Sequence, residues 1–173
     1  MRKIYILGIA GSGKSTLAKE LSKILKIPKF DLDDIFFIEK YTHKRKDEDC
    51  EKELKKLLKE NDCWIIEGVY SWGKIAANKA DLVIWLNYGI NTSTYRVIKR
   101  WILNHKEDKE SIKELYGLIK YVRSYKKVRA NKIYSTYEKH QEVISGNEHK
   151  LFEIKNKEDL ERLFEELKIN SKN

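Results

Sequence analysis

Proline occurs once and glycine eight times in 173 residues. Collagen-like, proline-rich and glycine-linker architectures are therefore excluded. Cysteine occurs twice, at Cys50 and Cys63, in no metal-ligand spacing such as C-x-x-C. The pair reads as two reduced thiols in a reducing compartment. No apolar run approaches the ~18 residues that cross a bilayer, so no membrane partner is expected. The start, Met1-Arg2-Lys3-Ile4-Tyr5-Ile6-Leu7-Gly8, has one short apolar run and no small-residue cleavage site. It does not read as a signal peptide, and the expectation is a cytoplasmic protein.

Hydrophobic residues make up 41% of the chain and charged ones 36%, so one core-forming domain over residues 1–173 is expected. The net charge of +9 is uneven. Residues 95 to 132 hold twelve Lys/Arg against four Asp/Glu, nearly the whole excess. Such a stretch attracts nucleic acid, surrounds a polyphosphate, or is a solvated lysine-rich helix surface.

Apolar runs alternate with segments of helical period. Strands are expected at Lys3 to Leu7, Lys29 to Leu32, Cys63 to Ile66, Asp81 to Leu86 and Lys150 to Ile154. Helices are expected at Lys14 to Leu25, Asp47 to Lys59, about Thr92 to Leu103, about Lys109 to Lys127, and Lys157 to Leu167. Asn156 should cap the last of these, with Glu158 and Asp159 in its first turn. Strands alternating with helices imply parallel pairing through right-handed crossovers, hence an α/β class with helices on both sheet faces.

Gly8-Ile9-Ala10-Gly11-Ser12-Gly13-Lys14-Ser15 fits G-x-x-x-x-G-K-[ST]. A random chain of this length shows the pattern about one time in a hundred. Here it also follows an expected strand and opens an expected helix, the arrangement of a phosphate-binding loop. Gly11, Ser12 and Gly13 let successive N–H groups curl towards one anion at the positive end of the helix. Lys14 should reach the β- and γ-phosphates of ATP, Ser15 should hold Mg²⁺, and Thr16 should reach the α-phosphate.

Glu67 ends the third strand, at the sheet edge that faces ligands in open α/β folds. It suits a Mg²⁺-bound water or an acceptor, and equally a strand-end acid paired with a lysine. Asp31, Asp33 and Asp34 follow the second strand. Alternation puts Asp31 and Asp33 on one side while the chain stays extended, and Asp33 can then orient an acceptor hydroxyl, act as base or help with metal. Asp34 is as well suited to starting a helix, and Phe36 and Phe37 to lining a pocket or packing in the core. Arg96 and Arg100 share a helix face, and Arg123 and Arg129 come later in the basic stretch. Guanidinium groups stabilise phosphoryl-transfer charge, although surface placement accounts for any one of them equally well.

The segments GIAGSGKS, DLDDIFF, WIIEGVY and ADLVIWLNYGINTSTYRVIKR, in that order, resemble the nucleoside-monophosphate-kinase-like branch of P-loop NTPases. The similarity is greatest to the adenylate-kinase-related family of DNA topology modulation proteins, over about residues 1–135. The resemblance implies a three-layer α/β/α fold with a five-stranded parallel sheet of order 2-3-1-4-5, and ATP with Mg²⁺. It implies an acceptor side in residues 34–60 and a short lid in residues 104–110. Lys14, Asp33, Arg96, Arg100 and Arg129 would be catalytic. Asp33, Phe37, Glu67, Gly68 and Tyr70 would meet the acceptor, with Tyr41 near its entry, and the base of ATP would lie near Lys155 to Lys157. Two departures stand out. Glu67-Gly68 is followed by Val69-Tyr70-Ser71 rather than the Phe-Pro-Arg that helps bind AMP, and a long or zinc-binding lid is absent. AMP is therefore disfavoured as acceptor.

The leading expectation is an ATP-dependent kinase that phosphorylates a nucleoside monophosphate or another small acceptor. The alternative is a nucleotide-dependent regulator or NTPase that binds nucleic acid through the basic stretch and Tyr95, Trp101, Tyr116, Tyr121 and Tyr125. Those aromatics also fall at helical spacing, where core packing is the default.

Overall fold

The computed structural model describes residues 2–39, 43–104, 112–126 and 137–171. Strand β1 (Lys3–Gly8) leads through a glycine loop into helix α1 (Lys14–Leu25). Strand β2 (Lys29–Asp31) runs directly into the short helix α2 (Leu32–Phe36), followed by β3 (Phe37–Glu39), β4 (His43–Lys44) and α3 (Asp47–Glu60). Then come β5 (Trp64–Glu67), a 3-10 turn at Ser71–Gly73, α4 (Lys74–Lys79) and β6 (Leu82–Leu86). Helices α5 (Ile90–Asn104), α6 (Ile112–Arg123) and α7 (Tyr137–Ile144) follow. The chain returns to the sheet as β7 (Leu151–Ile154) and closes with α8 (Lys157–Ser171).

Five strands form one parallel sheet in the order β2-β5-β1-β6-β7. The expected order 2-3-1-4-5 counted sheet strands only and missed the antiparallel hairpin β3–β4, which falls between its second and third. Strands of three and two residues carry too little alternation to be read from sequence.

Period-2 alternation sends neighbouring strand residues to opposite faces and so builds three layers. Tyr5, Leu7, Trp64, Ile66, Val83 and Trp85 pack against apolar residues of α3, α4 and α7. Ile4, Ile6, Ile65, Ile84 and Leu86 pack on the other side against α1 and α8. A smaller cluster of Ile9, Val97, Val122 and Tyr125 joins the α5–α6 pair to the loop after β1. Both thiols are free, Cys50 buried and Cys63 half-buried.

The second strand ends at Asp31, not Leu32. The Asp31 side chain accepts the Asp33 amide at 2.9 Å and caps α2. The expected extended alternation of Asp31 and Asp33 is therefore corrected: Asp33 and Asp34 lie in the first turn of a helix. The Asn156 cap is present, with the Asp159 amide donating to its Oδ1 at 2.8 Å. Of the long stretch expected at Lys109 to Lys127, α6 spans Ile112–Arg123 and residues 124–126 form a turn. Tyr41, lid residues 105–110, Lys127 and Arg129 lie outside the described residues. Among the described residues no helix is long and apolar enough to cross a membrane.

Asp81 ties the start of β6 to that of β1. Its Oδ2 accepts the amides of Arg2 at 2.7 Å and Lys3 at 3.0 Å. Burial alone would raise its pKa, but those two N–H donors outweigh it and hold the carboxyl below its usual value. A carboxylate with a depressed folded-state pKa contributes stability that is complete above its unfolded pKa. That contribution is lost as pH falls through the folded value. Urea midpoints measured between pH 7 and pH 3 should fall less steeply for Asp81→Asn than for the parent chain, and the variant should start lower at pH 7.

Candidate active site at the glycine loop

Gly11 (φ +76°) and Gly13 (φ +99°) give the loop its left-handed turns, and Gly13 is the N-cap of α1. A Cβ on Gly11 would lie 2.5 Å from the Ser93 carbonyl oxygen and 2.7 Å from Val97 Cγ2. Helix α5 therefore rests directly on the loop. The N-terminus of α1 has no side-chain cap, and its peptide donors are available to an anion.

Lys14 folds back along the loop, donating from Nζ to the Gly8 carbonyl at 2.8 Å and the Ile9 carbonyl at 3.3 Å. Burial pulls its pKa down, opposed by the negative charges of Glu67, Asp33 and Asp31. Glu67 is 1% exposed. Alternation along β5 puts it on the same face as Ile65, towards α1, where Ser15 Oγ donates to its Oε2 at 2.7 Å. Its other oxygen, Oε1, is buried with no hydrogen-bond partner among the described residues. Burial raises the Glu67 pKa and the nearby Asp31 charge raises it further, while the Ser15 hydroxyl and Lys14 oppose them. Strand register aligns Asp31 with Glu67 and Glu67 with Ile6, so both acids sit at the carboxyl edge of the sheet where the loop departs.

On the α2 side, Tyr70 donates its hydroxyl to Asp33 Oδ1 at 2.7 Å. Burial, and then the Asp33 charge, push the Tyr70 pKa far up, so this phenol keeps its proton. The Tyr70 ring stacks on Trp72 at 4.8 Å and 16°, and Phe36 lies 4.8 Å away on a tilted plane. Phe37 meets Phe36 edge-on at 4.9 Å and is half-buried. Gly68 is buried and its carbonyl accepts the Tyr5 hydroxyl at 2.9 Å, so that group serves the core.

Arg96 reaches the loop from α5, donating from Nη1 to the Ser12 carbonyl at 2.9 Å, with its guanidinium 4.1 Å from the Tyr88 ring centroid. Arg100 is exposed, yet its charge acts on Lys14. Thr16 and Arg123 are exposed. At the far rim, Lys155 pairs with Glu153 at 2.8 Å, and Glu153 accepts from Asn87 Nδ2 at 2.6 Å. Of the aromatics in the basic stretch, Tyr125 is buried, whereas Tyr95 and Tyr116 are 64% and 67% exposed.

The structure thus gathers Lys14, Ser15, Glu67, Asp31, Asp33 and Tyr70 around one strand-end crevice, with Arg96 on its loop. Tyr88 and Trp72 were not singled out from the sequence. Each lies just past the carboxyl end of a strand, and that position is the signal that points to them. Among the described residues no group of three or more His, Cys, Asp or Glu is placed to hold a metal alone. Mg²⁺ suits such a site, because it takes one or two protein oxygens and fills the rest of its shell from water and phosphate. The Ser15–Glu67 pair, with its buried unpartnered oxygen, fits that demand.

No family model matches the chain. A stretch of 86 residues is 40% identical to the Uncharacterized protein YqaC of Bacillus subtilis (strain 168), covering 49% of this chain and 48% of that protein. The chain thus spans about half the length of the curated relative it matches. Among solved structures, shikimate kinase from Aquifex aeolicus vf5 is similar at 18% identity, with a TM-score of 0.47 and 98% of each chain covered. An uncharacterized protein from Eubacterium ventriosum ATCC 27560 is similar at 20% identity, with a TM-score of 0.43 over 79% of this chain and 85% of that one. Shikimate kinase from Acinetobacter baumannii, in complex with shikimate, is similar at 15% identity, with a TM-score of 0.42 over 87% of this chain and 95% of that one.

Gly11→Ala tests the loop–α5 contact. The added methyl must move backbone, so a stability loss of about 1–3 kcal/mol is expected from the strained turn and overpacking. Affinity of the loop for an anion such as pyrophosphate should weaken as well. Urea denaturation and calorimetry read the two effects.

Proposed function

We propose that the chain is an ATP-dependent phosphotransferase acting on a small hydroxylated acceptor. The observation that carries this reading is the Ser15 Oγ–Glu67 Oε2 hydrogen bond at 2.7 Å at the foot of a glycine loop, beside a buried Glu67 Oε1 with no partner among the described residues. Loop N–H groups and the start of α1 cradle the phosphates. Lys14 exchanges the Gly8 and Ile9 carbonyls for β- and γ-phosphate oxygens. Ser15 would hold Mg²⁺, with Glu67 acting through a bound water, and the ion when present neutralises phosphate charge.

Asp33 receives the acceptor hydroxyl, and the Tyr70 donor fixes its orientation. Residues 34–60 form the acceptor side. Arg96 and Arg100 stabilise charge as it spreads over the transferred group. Positioning and electrostatics supply most of the catalysis, with little covalent work for the protein. The exposed Tyr95 and Tyr116 on a basic helix pair favour a second reading, a nucleic-acid surface. DNA affinity falling steeply with salt would support it, and no binding at low salt removes it.

Lys14→Ala should abolish ATP turnover while circular dichroism and thermal melting stay near those of the parent. Turnover at the parent rate by a folded Lys14→Ala protein overturns the assignment.

A further inference from the structure

Arg96 stands where a cation gains little from its surroundings. A Cβ on Gly13, the N-cap of α1, would lie 3.8 Å from Arg96 Nη1. The guanidinium therefore overhangs the positive end of that helix, where the next residue is Lys14. Among the described residues no ion pair joins Arg96 to a carboxylate. A cation at a helix N-terminus is unfavourable until an anion comes between the two.

Two contacts keep it there. Nη1 donates to the Ser12 carbonyl at 2.9 Å, and the guanidinium carbon lies over the Tyr88 ring, 4.1 Å from its centroid. A cation over an aromatic face is attracted by the ring quadrupole, and a planar guanidinium also stacks on it. The ring itself is fixed by the core. Tyr88 follows β6 by two residues, is half-buried, and packs against the cluster that holds Leu86, Ile154 and Leu163. One side of the sheet thus sets the plane of a side chain that belongs to α5. An arginine fork has five N–H donors and the Ser12 carbonyl takes one, which leaves donors for the oxygens of a polyphosphate on the loop.

We infer that Tyr88 is a positioning residue: its aromatic face holds the Arg96 fork over the glycine loop, so that the affinity of the loop for a polyphosphate depends on a ring at position 88. This role rests on the phosphotransfer reading only in treating the loop as a polyphosphate cradle. The phenol hydroxyl has no part in it, and neither does apolar bulk alone.

The test measures pyrophosphate affinity by calorimetry in the full chain. The parent is compared with Tyr88→Phe, Tyr88→Leu, Arg96→Ala and the Tyr88→Leu/Arg96→Ala double variant, with thermal melts alongside. Tyr88→Phe, which keeps the ring, should bind within about twofold of the parent, whereas Tyr88→Leu should bind about fivefold more weakly or worse. Arg96→Ala should lose at least as much, and the double variant should bind no more weakly than Arg96→Ala alone. Tyr88→Met, a second apolar replacement, takes the place of Tyr88→Leu if the latter melts well below the parent. Parent-like affinity of the Leu or Met variant overturns the assignment to Tyr88. So does a Tyr88→Phe loss as large as that of Tyr88→Leu, or a Tyr88→Leu loss that persists undiminished without Arg96. A parent chain that binds no pyrophosphate removes both the cradle and this role. ADP release from Mg·ATP is followed separately. If no acceptor stimulates it while pyrophosphate affinity still depends on the ring, the phosphotransfer reading fails and the role of Tyr88 stands.

Discussion

A partly buried ammonium needs partners, and the Lys14 ammonium organises the crevice around that need. Two loop carbonyls accept its hydrogen bonds, and three carboxylates supply the compensating field. Those carboxylates come from segments far apart in sequence, and only a parallel sheet in this register delivers them together. Asp31 is level with Glu67 on neighbouring strands, and Glu67 with Ile6 two residues before the loop begins. The apolar alternation that builds the core therefore also sets the chemistry at its edge. Shifting β5 by one residue would turn Glu67 away from Ser15 and expose Ile65 and Ile66 to the wrong layers.

A second constraint acts from above the loop. Helix α5 approaches Gly11 so closely that no side chain fits between them, and Arg96 ties the Ser12 carbonyl to the same helix. Ile9, Val97 and Val122 extend that contact to α6. The loop, α5 and α6 thus pack as one contiguous unit. The face of Arg96 on Tyr88 places this linkage beside the rim where Asn87, Glu153 and Lys155 lock the ends of β6 and β7 together.

Much of this was legible in the chain itself. Gly8 to Ser15 is a local pattern whose spacing carries its own physics, and the five sheet strands announce themselves as short apolar runs. Asn156 followed by Glu158 and Asp159 reads as a helix start because capping is local. What escaped was either too short or too distant. Helices α2 and α4 have five and six residues, less than two turns, so no periodicity develops. The Asp31 cap that converts the expected strand end into α2 is joined by the burial of Leu32 and Ile35 in the core. The Tyr70–Asp33 pair spans 37 residues and the Ser15–Glu67 pair 52, and no window of sequence records such a meeting. Tyr88 has no pattern beyond its place after a strand.

The two outermost strands of the sheet, β2 and β7, have three and four residues, and each pairs on one side only. Such brief borders present few unpaired peptide groups to a passing chain, and the cationic residues Lys29 and Lys155 stand at the start of one and just beyond the end of the other. Among the described residues the five-stranded sheet thus stays open while leaving little unpaired edge at either border.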